Sequence, residues 1–282
     1  MKIFPKKKIW PYISERLPIP TSFSFTGDAI NGLKCVMFDI YGTLFISDSG
    51  DLGLMRQQLH HSESFRKLIY HFGINEEPMA ILEAFFKKIA ITHDQMKKVG
   101  VDFPEVKIDT IWKDVLGLDI RMAREFAVFF EVMANPVYPM PNLEMALAEI
   151  KKRKIQMGII SNAQFYTPFL FDWFLDSPMN TLGFHKDLLF WSYREGVAKP
   201  SPHLFERAAD TLLKMDISPE TVLYIGNDMR NDILPARLKG FKTALFAGDN
   251  RSLRLRKELP ELKNIRPDIV MTDLSQISLV IA

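Results

Sequence analysis

The stretch LKCVMFDIYGTLF, residues 33–45, joins a nearly unbroken apolar run to one carboxylate and a turn. The run is short and lies between glycines, which is typical of a strand that is buried on both faces. Continuous rather than alternating apolarity favours a parallel sheet covered by helices on both sides. Such a strand would deliver Asp39 to its carboxyl end, where Tyr41, Gly42 and Thr43 form the turn.

Similar apolar runs recur later in the chain and alternate with helical patterns. The helical patterns cover residues 141–154 and 201–215, where apolar residues return every three or four positions. Alternation of strands and helices predicts a doubly wound α/β domain built on a Rossmann-like parallel sheet. The further predicted strands are residues 155–161, 221–226, 242–247 and 268–272.

The segment 50–137 interrupts this alternation, because it is rich in helical patterns and contains no convincing buried strand. Its clearest amphipathic stretches are residues 79–98 and 121–134. We therefore expect an all-helical cap domain inserted after the first strand. The predicted organisation is an N-terminal arm at 1–33, the sheet domain at 34–49 and 138–282, and the cap at 50–137.

Composition narrows the class of protein. The 282 residues are 47% hydrophobic and 25% charged, which is the balance of an ordinary globular protein rather than a disordered one. A net charge of +2 gives no reason to expect nucleic acid as a partner. No apolar stretch approaches the ~20 residues of a membrane span, and the single cysteine, Cys35, fits a cytoplasmic protein without disulfides. The oligomeric state cannot be derived from the sequence.

Two basic segments stand apart from these patterns. The start of the chain carries Lys6, Lys7 and Lys8 among several prolines and predicts an extended surface arm, with contact to an acidic partner or membrane face as the alternative. Residues 251–266, RSLRLRKELPELKNIR, predict a solvated helix or loop, with a partner-binding face as the alternative.

Polar residues follow directly after the predicted strands. Because the carboxyl ends of parallel strands meet at one edge of an open sheet, such residues converge however far apart they lie in the chain. Each alone has an ordinary structural explanation, such as a turn cap for Asp39, a helix cap for Ser161 or a solvated loop for Lys199. Together they predict one site. The candidates are Asp39, Tyr41, Gly42, Thr43, Ser161, Asn162, Lys199, Asn227, Asp228, Asn231 and Asp232.

The chemistry of these residue types is compatible with a single reaction. A carboxylate such as Asp39 can attack an electrophile and form a covalent intermediate. If the electrophile is a phosphoester, an ammonium, hydroxyl groups and a divalent cation would neutralise its charge. Mg²⁺ prefers oxygen ligands, and Asp39 with Asp228 or Asp232 and a backbone carbonyl would suit it.

Four stretches in this order, FDIYGTLF, IISNA, GVAKPSPHLFERA and YIGNDMRNDILPARLKGFKTALF, resemble the motifs of the haloacid dehalogenase-like hydrolase superfamily. With their strands they cover most of the chain outside residues 1–33 and 50–137. The resemblance implies a Rossmann-like core with a helical cap and a small-molecule substrate. It also implies an aspartate nucleophile and, in the phosphatases of the superfamily, Mg²⁺.

The resemblance also implies a role for each candidate residue. Asp39 would be the nucleophile, Thr43 and Ser161 would bind the transferring group, and Lys199 would hold its charge. Tyr41, Gly42 and Asn162 would contact the substrate. The expected ligands of Mg²⁺ are Asp39, the Tyr41 carbonyl, Asp228 and Asp232. Here Asn227 stands where most phosphatases have the first acid of the last motif, whereas Asp232 keeps the superfamily spacing.

Tyr41 leaves the reaction type open. Most phosphoester-hydrolysing members have a second aspartate at this place, which protonates the leaving oxygen, and a tyrosine with an ordinary pKa of about 10 cannot replace it well. The Tyr-Gly-Thr form resembles the 2-haloacid dehalogenase branch, in which a departing halide needs neither a proton nor Mg²⁺. Mg²⁺-dependent hydrolysis of a small phosphorylated metabolite through a phosphoaspartyl intermediate is the leading prediction. Carbon–halogen hydrolysis and a non-catalytic binding module are the alternatives.

Overall fold

The computed structural model describes residues 4–47 and 63–282, and its centre is a six-stranded parallel sheet. The predicted start of the cap at residue 50 lies outside the described residues. A separate two-stranded antiparallel ladder joins β2 to β3. The strands are β1 (Cys35–Phe38), β2 (Phe45–Ser47), β3 (Val137–Pro139), β4 (Gln156–Ser161), β5 (Phe184–Trp191), β6 (Val222–Gly226), β7 (Lys242–Phe246) and β8 (Ile269–Met271).

The strand order is β5-β4-β1-β6-β7-β8, so the first strand of the chain lies in the middle of the sheet. Its neighbours β4 and β6 lie on opposite sides of it, in register at Phe38, Ile159 and Ile225. The chain therefore reverses its winding direction at β1. In open α/β sheets, ligands bind at such a switch point, beyond the carboxyl ends of the strands. The register places Asp39, Ser161 and Asn227 at that edge.

Both faces of the sheet are covered, as the continuous apolar runs predict. In β1, Val36 and Phe38 belong to one buried cluster, whereas Cys35 and Met37 belong to a second cluster on the opposite face. The second cluster includes Phe205 from the helix before β6. This arrangement confirms a doubly wound α/β fold.

Helices flank the sheet and make up most of residues 63–134. They are α1 (Lys6–Ile9), α2 (Glu63–His71), α3 (Pro78–Lys98), α4 (Ile108–Leu116), α5 (Ile120–Ala134), α6 (Leu143–Lys152), α7 (Phe169–Leu175), α8 (Met179–Leu182), α9 (Ser192–Glu195), α10 (His203–Leu213), α11 (Leu234–Leu238) and α12 (Ile277–Val280). A π-helical turn covers Met229–Ile233. None of the helices in the described ranges is both long and apolar enough to cross a bilayer.

Helices α2 to α5 form what we call the helical insert, residues 63–134. Its core is aromatic: the rings of Phe85 and Trp112 stack with centroids 4.0 Å apart, and Phe126 and Phe130 pack against Trp112 at 4.7 and 4.8 Å. Asp119 caps α5 by accepting from two backbone N–H groups. The helical periodicity predicted from the sequence is thus present here, and it buries one face of each helix.

One strand of the sheet is missing from the prediction. Strand β5 lies at the edge of the sheet next to β4, and Lys186 and Asp187 are exposed in its middle. An edge strand needs no continuous apolar run, because only part of it is buried. The criterion that identifies the central strands therefore does not detect it.

The N-terminal arm packs on the chain itself. Ile9 is fully buried, and Lys6 and Lys8 form ion pairs with Asp176 and Glu125, each at 2.9 Å. Farther along, Thr26 forms an antiparallel bridge with the edge strand β8. Lys6 and Lys8 thus meet acids of the same molecule, and residues 6–9 are helical rather than extended.

Candidate active site

The turn after β1 is built around the carbonyl of Ile40, which accepts from the N–H groups of the three residues at 43–45. Gly42 in this turn has a φ of 82°, which a side chain tolerates poorly. A Cβ at this position would lie 2.5 Å from Nδ2 of Asn227 and 2.6 Å from Cβ of Ser252. Glycine is therefore required here both by the backbone conformation and by the close approach of two neighbouring loops.

Asp39 is held at the carboxyl end of β1 and is 7% exposed. Its Oδ1 accepts from the hydroxyl of Ser161 at 2.8 Å and from the ammonium of Lys199 at 2.7 Å. No described residue donates a hydrogen bond to Oδ2. One oxygen of the carboxylate is thus fixed by two donors, and the other has its lone pairs available for a reaction.

Lys199 is a buried cation between two carboxylates. Its Nζ lies 2.7 Å from Asp39 and 2.6 Å from Asp232, and it also contacts the hydroxyl of Tyr224 at 3.1 Å. Burial by itself would lower the pKa of Lys199, but the charges of Asp232 and Asp39 more than compensate and raise the pKa above its ordinary value. The side chain is therefore an ammonium at neutral pH.

The loop that carries Lys199 is positioned by Asn162. The Asn162 side chain accepts from the backbone N–H of Lys199 at 2.7 Å and donates to its carbonyl at 3.1 Å. This two-point contact ties the loop to the end of β4. Asn162 also lines the cavity described below, so the prediction that it contacts substrate is compatible with its place.

Asp232 closes the buried ion pair. Its Oδ1 accepts from Lys199 and Tyr224, and its Oδ2 accepts from the backbone N–H of Asp228 at 2.9 Å. A Cβ on Gly226 would lie 2.4 Å from the Asp232 Cγ, so the glycine at the end of β6 makes room for this carboxylate. Burial raises the pKa of Asp232, and Lys199 opposes that rise.

The carboxylate of Asp228 forms an ion pair with an arginine, Arg256. Arg256 donates through Nε to both Asp228 oxygens at 2.9 and 3.0 Å and through Nη2 to Oδ2 at 2.7 Å. The backbone N–H groups of Arg230 and Asn231 donate to Oδ1 as well. Five hydrogen bonds use the lone pairs of this carboxylate, which is 6% exposed.

The donor set therefore does not fit the Mg²⁺ site that the resemblance implies. Of the expected ligands, the Asp39 Oδ2 and the Tyr41 carbonyl have no partner in the described chain, but Asp228 is saturated by Arg256, and Asp232 accepts from three donors. Among the described residues no group of three or more acidic, histidine or cysteine side chains could hold a metal ion. The pairing with Arg256 argues against Asp228 as a ligand, since its oxygens are already used.

Asn227 occupies the first acidic place of the last motif and is used structurally. Its Nδ2 donates to the Ser252 carbonyl at 2.6 Å, and its Oδ1 accepts from Thr43 at 3.3 Å. Thr43 is fully buried and does not line the cavity. The hydroxyl of Thr43 contacts Asn227, and its binding of the transferring group stays a prediction.

A cavity of about 350 Å³ opens above Asp39. One side of the cavity, which we call the core wall, is formed by Asp39, Lys199 and Asp232. On the other side, Glu105 and Glu131 of the helical insert form what we call the insert wall. The remaining lining residues are Tyr41, Ser47, Asn135, Asn162, Ala163, Gln164, Tyr166, Asn227, Asp228, Asn231, Ser252, Arg254 and Arg256.

The carboxylate of Glu105 accepts hydrogen bonds from three uncharged donors. Ser192 donates to its Oε2 at 2.8 Å, and the Val106 N–H and the Gln164 side chain donate to Oε1 at 3.0 and 3.2 Å. Burial raises the pKa of Glu105 to about 7 in spite of the hydrogen bonds from Ser192 and Val106. No described lysine, arginine or histidine forms an ion pair with it.

Glu131 resembles Glu105 in its surroundings. It accepts from Asn135 and from the hydroxyl of Tyr166, each at 2.8 Å. Burial raises its pKa, and these two hydrogen bonds oppose the rise. Within the described chain it also forms no ion pair. Both carboxylates of the insert wall therefore face the cavity without a neutralising cation.

Tyr41 stands between the two walls. Its hydroxyl lies 3.0 Å from Oγ1 of Thr167. Burial and the charge of Glu131 raise the pKa of Tyr41 well above its ordinary value, so the side chain is a neutral phenol at neutral pH. This agrees with the prediction that Tyr41 cannot act as the second carboxylate of the phosphatases.

The structure brings most predicted residues together. Asp39, Ser161, Lys199 and Asp232 form one contact network, and Tyr41 and Asn162 line its cavity. Sequence reasoning missed Tyr224, Glu105, Glu131, Arg254 and Arg256. The polar Tyr224 within the apolar run of β6 was a detectable signal. Arg254 and Arg256 belong to residues 251–266, which we expected in a solvated helix or loop, and they line the cavity instead.

Comparison with known proteins identifies the class. Residues 33–240 match the haloacid dehalogenase-like hydrolases, a match that spans well over half of the chain, and the chain belongs to this family of enzymes. A curated relative is glyceraldehyde 3-phosphate phosphatase of Methanothermobacter thermautotrophicus, 25% identical over 249 residues, which are 87% of this chain and 98% of the relative.

Solved structures agree on the fold. The 2-haloacid dehalogenase of Pseudomonas syringae pv. Tomato DC3000 superposes with a TM-score of 0.53 at 19% identity, covering 87% of this chain and 96% of that one. A HAD phosphatase of Thermococcus onnurineus gives a TM-score of 0.52 at 16% identity, with the same coverage. At these identities the likeness extends to the fold, and dehalogenases and phosphatases share it.

Proposed function

We propose that the protein hydrolyses a small phosphorylated molecule by attack of the Asp39 carboxylate on phosphorus. The observation that carries this proposal is the hydrogen bonding of the Asp39 carboxylate. Its Oδ1 is fixed by Ser161 and Lys199, and its Oδ2 has no partner in the described chain. The likeness to a phosphatase over 87% of the chain supports the same reaction class.

The reaction would proceed in two displacements. As a bond forms between an Asp39 oxygen and phosphorus, the bond from phosphorus to the leaving oxygen breaks, which gives a phosphoaspartyl intermediate. Water then attacks this phosphorus, releases inorganic phosphate and restores the carboxylate. Lys199 holds Oδ1 throughout and opposes the negative charge that gathers beside it. The Mg²⁺ ion implied by the resemblance has no step in this proposal, because Asp228 is engaged by Arg256.

The neutral phenol of Tyr41 limits the choice of substrate. Since Tyr41 is a poor donor and base, the leaving oxygen would depart as an anion, which favours aryl or acyl phosphates over alkyl phosphates. An adjoining cavity of about 160 Å³ shares Glu105, Glu131, Gln164 and Tyr166 with the main one. Apart from His93, its other lining side chains are apolar and include Phe85 and Trp112. An aromatic leaving group fits such surroundings.

The test compares p-nitrophenyl phosphate with glycerol 3-phosphate. We expect the aryl ester to be hydrolysed roughly 100-fold faster, within the range attributed to general acid catalysis. Asp39→Asn should reduce the activity by a factor on the order of 10⁴ or more, whereas Asp210→Asn, at an exposed aspartate, should not change it. Full activity of Asp39→Asn would rule out the proposal.

Carbon–halogen hydrolysis is the second candidate. Tyr41 and a donor set that does not fit a divalent cation both favour it, because a halide leaves without a proton or a metal. Chloride release from 2-chloropropionate decides this question. Turnover of neither substrate class would favour the non-catalytic alternative.

A further inference from the structure

The contact between Arg256 and Asp228 assigns a cation to the place where the family resemblance implies a metal. A guanidinium has five N–H groups, and Arg256 uses two of them, on Nε and Nη2, for Asp228. The other three have no partner in the described part of the chain. Arg256 lines the cavity above Asp39. These N–H groups are therefore available for an anionic ligand.

The backbone holds this arginine in a defined position. The N–H of Met229 donates to the Arg254 carbonyl at 2.9 Å, and the N–H of Arg254 donates to the Asn227 carbonyl at 3.0 Å. This parallel bridge joins the segment around Arg254 to the loop after β6. Two residues later, Arg256 has a φ of 48°, a left-handed conformation that non-glycine residues adopt only where their surroundings impose it.

The charges around Lys199 indicate why a phosphorylated substrate would need a second cation in the cavity. The ammonium of Lys199 is already shared by Asp39 and Asp232 at 2.7 and 2.6 Å. A phosphoryl group that approaches Asp39 would bring further negative charge and would need another cation. Arginine binds phosphate oxygens through its planar fork without requiring an octahedral ligand set. The side chain of Arg254, which also lines the cavity, donates within the described chain to the backbone carbonyls of Arg251 and Leu253.

We propose that Arg256 binds the anionic group of the substrate and supplies the charge that a divalent cation supplies in Mg²⁺-dependent phosphatases, so that this protein acts without a divalent metal. Asp228 orients the guanidinium, which leaves this carboxylate unavailable to Mg²⁺. The proposal rests on the phosphate hydrolysis proposed above, but the binding of the cation can be measured without any turnover.

The first experiment is calorimetric titration of the wild-type chain and of Arg256→Ala with MgCl₂. We expect no saturable binding to the wild type. Removal of the guanidinium frees lone pairs of Asp228, which lines the same cavity as Asp39, so Arg256→Ala should bind Mg²⁺. Saturable binding to the wild type that disappears in Asp39→Asn would overturn the proposal, and this arm does not depend on whether the arginine variant folds.

The second experiment is turnover of p-nitrophenyl phosphate with and without EDTA. Wild-type activity should be unchanged by EDTA. Arg256→Ala should lose roughly 10- to 100-fold, the effect of removing a hydrogen bond to a charged group, and added guanidinium chloride at millimolar concentration should restore part of it. Arg266→Ala is the matched control, because Arg266 belongs to the same basic segment but is exposed and donates to backbone carbonyls instead of Asp228.

The outcomes separate the two proposals. Activity that EDTA abolishes would refute the role of Arg256 and leave phosphate hydrolysis standing. An Arg256→Ala variant as active as Arg266→Ala would likewise refute that role. A wild type that hydrolyses no phosphoester would refute the proposed function, and the titration would still decide whether Arg256 excludes Mg²⁺.

Discussion

In the core wall, Asp39 and Asp232 share the ammonium of Lys199 at 2.7 and 2.6 Å, whereas in the insert wall Glu105 and Glu131 accept only from neutral donors. Both walls line the same cavity. The ion pairs of the core wall join its two carboxylates to one cation. The charges of the insert wall are satisfied by hydrogen bonds but not neutralised.

This difference separates the chemistry from the selection of substrate. The core wall combines a nucleophile with the cation that fixes it, and its members come from β1, the loop before α10 and the turn after β6. The insert wall comes from the helical insert, and its two acids form no ion pair within the described chain. A phosphoryl group would therefore be directed to the cations at the core wall, Lys199 and Arg256.

The largest effect on stability is expected for Lys199→Met. Removing the ammonium leaves Asp39 and Asp232 buried together without a cation, which typically costs about 3–5 kcal/mol in the free energy of unfolding. Urea denaturation at pH 7.5 measures this cost. It should shrink as the pH falls toward 5, because two carboxylates without a cation take up protons more readily.

The control for this experiment is Lys214→Met, at an exposed lysine. A change within about 0.5 kcal/mol is expected there. If the cost of Lys199→Met were as small as that of Lys214→Met, the core wall would not be held together by its ion pairs, and the contrast between the walls would disappear.

Glu105→Gln should have a smaller effect and the opposite sign. Folding raises the pKa of Glu105 from 4.5 to about 7, so its contribution to stability is fully present below pH 4.5 and is lost as the pH rises through 7. The loss is at most about 3 kcal/mol for a shift of this size, and water that reaches the cavity reduces it. The variant should therefore be more stable than the wild type at pH 8.

The measurement is the free energy of unfolding of both proteins between pH 4.5 and 8. The wild-type value should fall relative to that of Glu105→Gln over this range. Glu83→Gln, at an exposed glutamate of the same insert, should follow the wild type throughout. Parallel curves for wild type and Glu105→Gln would show that folding does not raise the pKa of Glu105. Its charge would then be compensated by a cation, and the two walls would be alike.

The central strands and most of the core wall could be predicted from the sequence. Residues 33–40 and 221–226 are mostly apolar because their strands are buried on both faces of the sheet. Burial of this kind can be recognised directly from the sequence. The register of a parallel sheet then places the residues that follow these strands at one edge. Asp39 and Asp232 are identified in this way, whereas Lys199 follows no predicted strand and is identified from the stretch YREGVAKPSP.

The insert wall and the arginines could not be predicted, because their positions depend on contacts between segments far apart in the chain. Glu105 follows no strand of the sheet, and its place depends on pairing between residues 103–105 and 196–198. Arg256 depends on the bridge between Arg254 and the loop after β6. A basic segment in a sequence carries no information about which backbone it will pair with.

Gly42→Ala is the smallest expected effect and tests how rigid the core side of the cavity is. An alanine would adopt a φ of 82° and would place its Cβ 2.5 Å from Asn227 and 2.6 Å from Ser252. Gly32→Ala provides the matched control, because Gly32 has a φ of 73° with no atom within 4 Å of the added Cβ. We expect the control to cost about 1 kcal/mol for conformation alone.

The excess cost of Gly42→Ala over Gly32→Ala measures the contact itself. If the loops are closely packed, that excess should be about 1 kcal/mol, and turnover should fall, because the turn that carries Asp39 can relieve the contact only by moving. Thermal unfolding and p-nitrophenyl phosphate hydrolysis measure the two effects. Equal costs for the two variants, with unchanged turnover, would mean that the loop at Ser252 moves to accommodate the added methyl group. The position of the nucleophile would then depend on the ion pairs of the core wall and not on packing at the turn.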